Sequence, residues 1–106
     1  MIKAVLIDDE RPALRGLEHL LNNYPMIEIS GMFTNPLEAM EKIDKIEPRV
    51  VFLDINMPQL QGIDAASEIL DRCPDCDIIF ITAYDYYAIE AFELHAMDYV
   101  LKPVSA

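Results

Sequence analysis

Short apolar runs alternate with longer stretches of helical spacing along the whole chain. This alternation constrains the fold more than any other feature of the sequence. The apolar runs are Ala4–Ile7, Ile27–Phe33, Val50–Leu53, Ile78–Ile81 and Asp98–Leu101. Between them, Leu14, Leu17, Leu20 and Leu21 recur at helical intervals, as do Leu37, Met40 and Ile43. The same holds for Ile63, Ala66, Ile69 and Leu70, and for Tyr84, Ala88, Ala91, Phe92 and His95. Asn35-Pro36 suits a helix cap followed by proline at the first helical position. Pro25, Pro48 and Pro74 each fall between a helix and the next strand. The pattern βαβαβαβαβ predicts a parallel sheet with helices on both faces. Right-handed crossovers reduce the possible topologies to a doubly wound α/β sheet of five strands.

The run Val50–Leu53 reads as a strand buried on both faces, yet it ends in Asp54. Other strands end in the same way. Asp8 and Asp9 follow the first run, Thr82 the fourth and Lys102 the fifth. In a parallel sheet these C-terminal ends share one edge, where ligands bind at the topological switch point. The sequence therefore aims three carboxylates, a hydroxyl and an ammonium at one crevice. Three carboxylates so placed repel one another, and a hard divalent cation relieves the conflict. Mg²⁺ suits such a site, because it commonly takes one or two protein carboxylates and keeps several waters. An ionised Asp54 could then attack phosphorus, with the cation, Lys102 and Thr82 holding the equatorial oxygens.

Composition excludes several classes. The 106 residues suffice for one domain, and 53% hydrophobic content is enough for a core. The net charge is −11, from 19 acids against 8 bases, which argues against direct binding to nucleic acid or to an anionic membrane surface. No apolar run approaches the roughly 20 residues that span a bilayer, and the N-terminus lacks a signal-peptide pattern. A cytoplasmic protein is expected.

The joint set LIDDE, FLDINMP, ITAY and DYVLKP resembles the receiver domain of two-component response regulators, in the right order over essentially the whole chain. The resemblance implies the flavodoxin-like strand order 2-1-3-4-5 and one receiver domain over residues 1–106. It also implies the residue roles. Asp54 matches the phosphoacceptor, Asp9 the direct metal ligand and Asp8 the ligand acting through water. Asn56 would offer its backbone carbonyl to Mg²⁺. Thr82 matches the hydroxyl that moves toward the phosphoryl group, and Lys102 the cation of the site. Pro103 follows where the family commonly has a cis peptide, and Tyr99 matches the aromatic switch residue. The implied phosphoryl donor is a phosphohistidine on a sensor histidine kinase. The implied protein is a signalling domain that catalyses its own phosphorylation and dephosphorylation, not a turnover enzyme.

The stretch ITAYDYYAIEAFELHAMDYVLKP is similar to receivers joined to a LytTR-type DNA-binding domain. This implies an output domain in a longer parent chain and a role in transcription regulation. Leu94-His95-Ala96 departs from the glycine that this subfamily often carries before its fifth strand. Only Lys102–Ala106 follow the fifth run, where a sheet covered on both faces calls for another helix. The expectation is a chain truncated before its last helix, with an apolar sheet face left to recruit a partner, such as a second copy in a homodimer.

Two other function classes share this sheet. A flavodoxin-like FMN carrier needs amides and hydroxyls for a phosphate after the first strand, where this chain has DDERPALRG. A phosphohydrolase working through an aspartyl phosphate needs a further acid near the nucleophile, and two residues beyond Asp54 stands Asn56. Asp8, Asp9 and Glu10 also suit a helix start on charge alone. Cys73-Pro74-Asp75-Cys76 follows the third helix, the wrong polarity for a thioredoxin-like thiolate, and neither His19 nor His95 is spaced to complete a zinc site.

Overall fold

In a computed structural model of the chain, residues 1–54, 62–82 and 98–101 are described. Five strands and three helices lie among them. They are β1 (Ile2–Ile7), α1 (Arg11–Leu21), β2 (Ile27–Phe33), α2 (Pro36–Ile46), β3 (Val50–Leu53), α3 (Gly62–Arg72), β4 (Asp77–Thr82) and β5 (Asp98–Leu101). The strands form one sheet in the order β2-β1-β3-β4-β5, and all four pairings are parallel. The helix expected over Tyr84 to His95 lies outside the described residues.

Strand period sorts the core into two layers. On one face Val5 and Ile7, Val51 and Leu53, and Ile78 and Phe80 pack against Ala39, Met40 and Ile43 of α2 and Ala65, Ala66 and Ile69 of α3. On the other, Leu6 packs with Leu14 and Leu21 of α1, joined by half-buried Leu17, Ile29 and Phe52. Among the described residues, the helical stripes of the sequence thus mark buried faces, with one correction. Leu37 shares the spacing of Met40 and Ile43, but it is exposed, and Pro36 and Ala39 are the buried members of that turn. Val50–Leu53 is also less sealed than expected, because Phe52 on the α1 side is only half-buried.

Local signals set the element ends. The Asn35 side chain accepts a hydrogen bond from the Leu37 amide at 2.9 Å, capping α2, with Pro36 beginning the helix. Glu47 closes the other end in the left-handed region, at φ 51°, and its amide donates to the Ile43 carbonyl at 3.0 Å. β1 begins at Ile2, two residues before the apolar run, because Ile2 and Lys3 pair with Ile27 and Glu28. A register shift between Ala4 and Val5 leaves Ser30 as the extra residue of β2, since Ala4 pairs with Ile29 and Val5 with Gly31.

Candidate functional site

The acids that follow β1 and β3 are brought together by strand register. Ile7 pairs with Leu53, so the next residues, Asp8 and Asp54, leave the sheet side by side. Backbone hydrogen bonds continue past the strand ends. The Asp8 amide donates to the Phe33 carbonyl at 3.1 Å, and the Asp54 amide to the Ile7 carbonyl at 2.9 Å. Both acids are therefore fixed by main chain that is itself part of the core.

Asp8 and Asp54 are the buried charged residues among those described, at 6% and 5% exposure. Asp9 is half-buried and Glu10 is exposed. One ligand atom from each of Asp8, Asp9, Glu10 and Asp54 lies within 4.8 Å of all the others. Asp8 Oδ1 also accepts a hydrogen bond from the Glu10 amide at 3.0 Å, folding the chain back over the first acid. Glu10 then serves as the N-terminal boundary residue of α1, in extended conformation.

Glu10 is the member that sequence reasoning leaves out of the site. Its signal is its place in the unbroken run Asp8-Asp9-Glu10 directly after a strand. On charge alone that run favours a helix start. The Asp8 turn shows why it is more than that, since it draws the third acid toward the first two.

Among the expected site residues, the structure brings together Asp8, Asp9 and Asp54. Thr82 is the last residue of β4, and Tyr99 lies in β5 opposite Phe80. Their backbones are thus in the sheet, while their side chains are outside the described residues. Asn56, Lys102 and Pro103 also lie outside them.

The donor set fits a small hard cation. Carboxylate oxygens are the ligands that Mg²⁺ and Ca²⁺ take. An octahedral Mg²⁺ with bonds of about 2.1 Å sets opposite ligands roughly 4.2 Å apart. The 4.8 Å span of this cluster comes within a small side-chain adjustment of that separation.

Comparisons with known proteins agree with the fold. Residues 4–106 match the family model of the response regulator receiver domain. An uncharacterized response regulatory protein of Vibrio cholerae serotype O1 is 49% identical over 104 residues, covering 98% of this chain and 44% of the relative. The transcriptional regulatory protein BtsR of Escherichia coli K12 is 43% identical over 104 residues, 98% of this chain and 43% of its own length. The chain thus spans less than half the length of these relatives. The crystal structure of the response regulatory domain of protein mrkE from Klebsiella pneumoniae superposes with a TM-score of 0.90 at 38% identity, covering 98% of this chain and 85% of that one.

Proposed function

The chain belongs to the response regulator receiver family, and from that premise we propose that Asp54 accepts a phosphoryl group from a phosphohistidine of a sensor histidine kinase. The observation that carries the reading is the buried Asp54 carboxylate, held by its amide on the Ile7 carbonyl among three further acids at one sheet edge.

A carboxylate oxygen of Asp54 forms the new bond to phosphorus as the bond to the donor imidazole nitrogen breaks, leaving an acyl phosphate on Asp54. The backbone clamp at β1 and β3 holds that oxygen in place, so little orientational entropy is lost at the reaction. Asp8, Asp9 and Asp54, with the backbone carbonyl of Asn56, are the ligands we assign to Mg²⁺. When bound, the cation supplies positive charge against the phosphoryl oxygens. We assign Thr82 and Lys102 to the remaining equatorial oxygens, Tyr99 to the switch and Pro103 to positioning Lys102. These assignments rest on the sequence match and on the common edge of β1, β3, β4 and β5. Without a cation the four acids would repel an FMN phosphate, which disfavours the flavin-carrier reading.

The receiver reading makes this a cytoplasmic signalling domain that catalyses its own phosphorylation and dephosphorylation. We place its output in transcription, through a LytTR-type DNA-binding domain. Relatives named as transcriptional regulatory proteins support this, since each is more than twice as long as the matched region. No described helix is long and apolar enough to cross a membrane.

Incubation with acetyl phosphate and Mg²⁺, followed by intact mass measurement, tests the reading. Gain of one phosphoryl group is expected, and it should vanish in Asp54→Asn and in EDTA. A folded protein that binds Mg²⁺ but gains no phosphoryl group would leave a binding domain on a receiver fold.

A further inference from the structure

The chain's two cysteines lie between the end of α3 and the start of β4, at the opposite ends of the strands from the acids. The Cys73 amide donates to the Ile69 carbonyl at 2.7 Å, closing the last turn of α3, and the Cys76 amide donates to the Cys73 carbonyl at 3.2 Å. The second bond closes a four-residue turn, Cys73-Pro74-Asp75-Cys76, with proline in the position that such turns favour. A β-turn holds its first and fourth Cα atoms within about 7 Å, and disulfides need roughly 4.4–6.8 Å.

The two thiols differ in access. Cys73 is half-buried, and its Sγ donates to the Pro48 carbonyl at 3.6 Å. It lines a cleft of about 640 Å³ together with Asp44, Arg49, Arg72 and Asp75. Cys76 is 5% exposed and belongs to the core cluster on the α2–α3 face. Burial pushes its thiol up to about 12, and the Cys73 thiol beside it adds to the shift. Cys76 is therefore sealed and held as the neutral thiol, while its neighbour opens on a cleft.

We propose that Cys73 and Cys76 form a reversible disulfide, with Cys73 the thiol that meets the oxidant and a hydroperoxide as that oxidant. Cys73 sulfur attacks the terminal peroxide oxygen, the O–O bond breaks, and the thiol proton leaves with the departing oxygen as water or alcohol. The product is a sulfenic acid on Cys73. Cys76 sulfur then displaces the sulfenic oxygen, forming the S–S bond, and the Cys76 proton leaves with that oxygen as water. Two thiols are oxidised and one peroxide is reduced. The position at a helix C-terminus is the wrong end of the dipole for a fast dithiol catalyst. It does not exclude closure of a pair that the turn already holds together. Closing the bond would draw Cys73 Sγ off the Pro48 carbonyl and staple the end of α3 to the residue preceding β4.

The test treats the reduced, natively folded protein with hydrogen peroxide and reads intact mass with a non-reducing peptide map. The expected result is loss of two hydrogens, one peptide pair linked through Cys73 and Cys76, and reversal by dithiothreitol. Cys76→Ser should stop at a sulfenic acid on Cys73 that dimedone traps, and Cys73→Ser should give no internal link. Independent oxygenation of either sulfur, chain-to-chain dimers, or unchanged thiols in a protein still folded by circular dichroism would overturn the proposal. The wild-type map decides the matter even if a serine variant fails to fold.

Discussion

The Asp54 amide donates to the Ile7 carbonyl at 2.9 Å, so the last backbone link between β1 and β3 is made by the proposed phosphoacceptor itself. The main chain of Asp54 completes the sheet while its side chain leaves the sheet. Function at this position therefore costs the core nothing in backbone hydrogen bonding. Stability and chemistry are carried by different atoms of one residue.

Metal binding should be visible as stability. A cation that binds only the folded state adds about 2.7 kcal/mol when present at 100 times its Kd. Titrating Mg²⁺ against the thermal midpoint should raise it, and EDTA should return it to the starting value. Asp54→Asn removes one of the four clustered carboxylates, so its Mg²⁺ response should shrink.

Gly31 and Gly16 should respond to alanine with opposite signs. A Cβ on Gly31 would meet Phe33 Cε2 at 2.8 Å and Ile46 Cδ1 at 3.2 Å, and a Cβ on Gly16 would meet nothing within 4 Å. Gly31→Ala should destabilise by about 1–3 kcal/mol through overpacking at the β2 register shift. Gly16→Ala, inside α1, should stabilise by about 1 kcal/mol. Urea midpoints of the two variants check this directly.

Core and surface apolar residues should separate by burial alone. Phe80 is fully buried on the α2–α3 face, whereas Leu37 is 50% exposed in the first turn of α2. Phe80→Ala should cost about 3–5 kcal/mol. Leu37→Ala should fall within about 0.5 kcal/mol of wild type, as read by equilibrium denaturation.

Alkaline pH should expose the Cys76 thiol. Its folded value is raised to about 12 from the ordinary 9.0, chiefly by burial. The unfolded thiol therefore ionises first as pH rises. The contribution to stability is complete below about pH 9 and is lost progressively as pH rises toward 12. Wild type should lose stability more steeply across that range than Cys76→Ala, when urea midpoints are compared at several pH values.

Much of the fold and of the acidic site was legible in the sequence, for physical reasons that differ by element. Val5, Ile7, Val51 and Leu53 announced themselves because a parallel sheet packed on both faces needs short, continuous apolar runs. The acids at their ends were legible because parallel strands share a C-terminal edge. Lys3 hid the true start of β1, since a polar residue in an edge-facing pair carries no hydrophobic signal. Leu37 misled because helical spacing does not reveal which side of the stripe a first-turn residue takes once Pro36 and Ala39 fill the buried side. Glu10 was missed because its part in the cluster comes from a local turn, in which its amide binds Asp8 Oδ1, and not from any periodicity. Helix polarity alone argues against a role for the cysteine pair. Its contact geometry depends instead on a turn closed by a single backbone bond.

The pairing of Ile7 with Leu53 has an implication for how such a chain can vary. Side chains alternate across a strand with a period of two, so one residue gained or lost within Val50–Leu53 would send Asp54 to the wrong level or turn the buried side outward. Substitutions there can be absorbed by repacking, but a single-codon insertion or deletion cannot. The separation between the two acidic ends is a matter of counting, and lineages of this domain should accumulate length changes in the helical connections while β1 and β3 keep theirs.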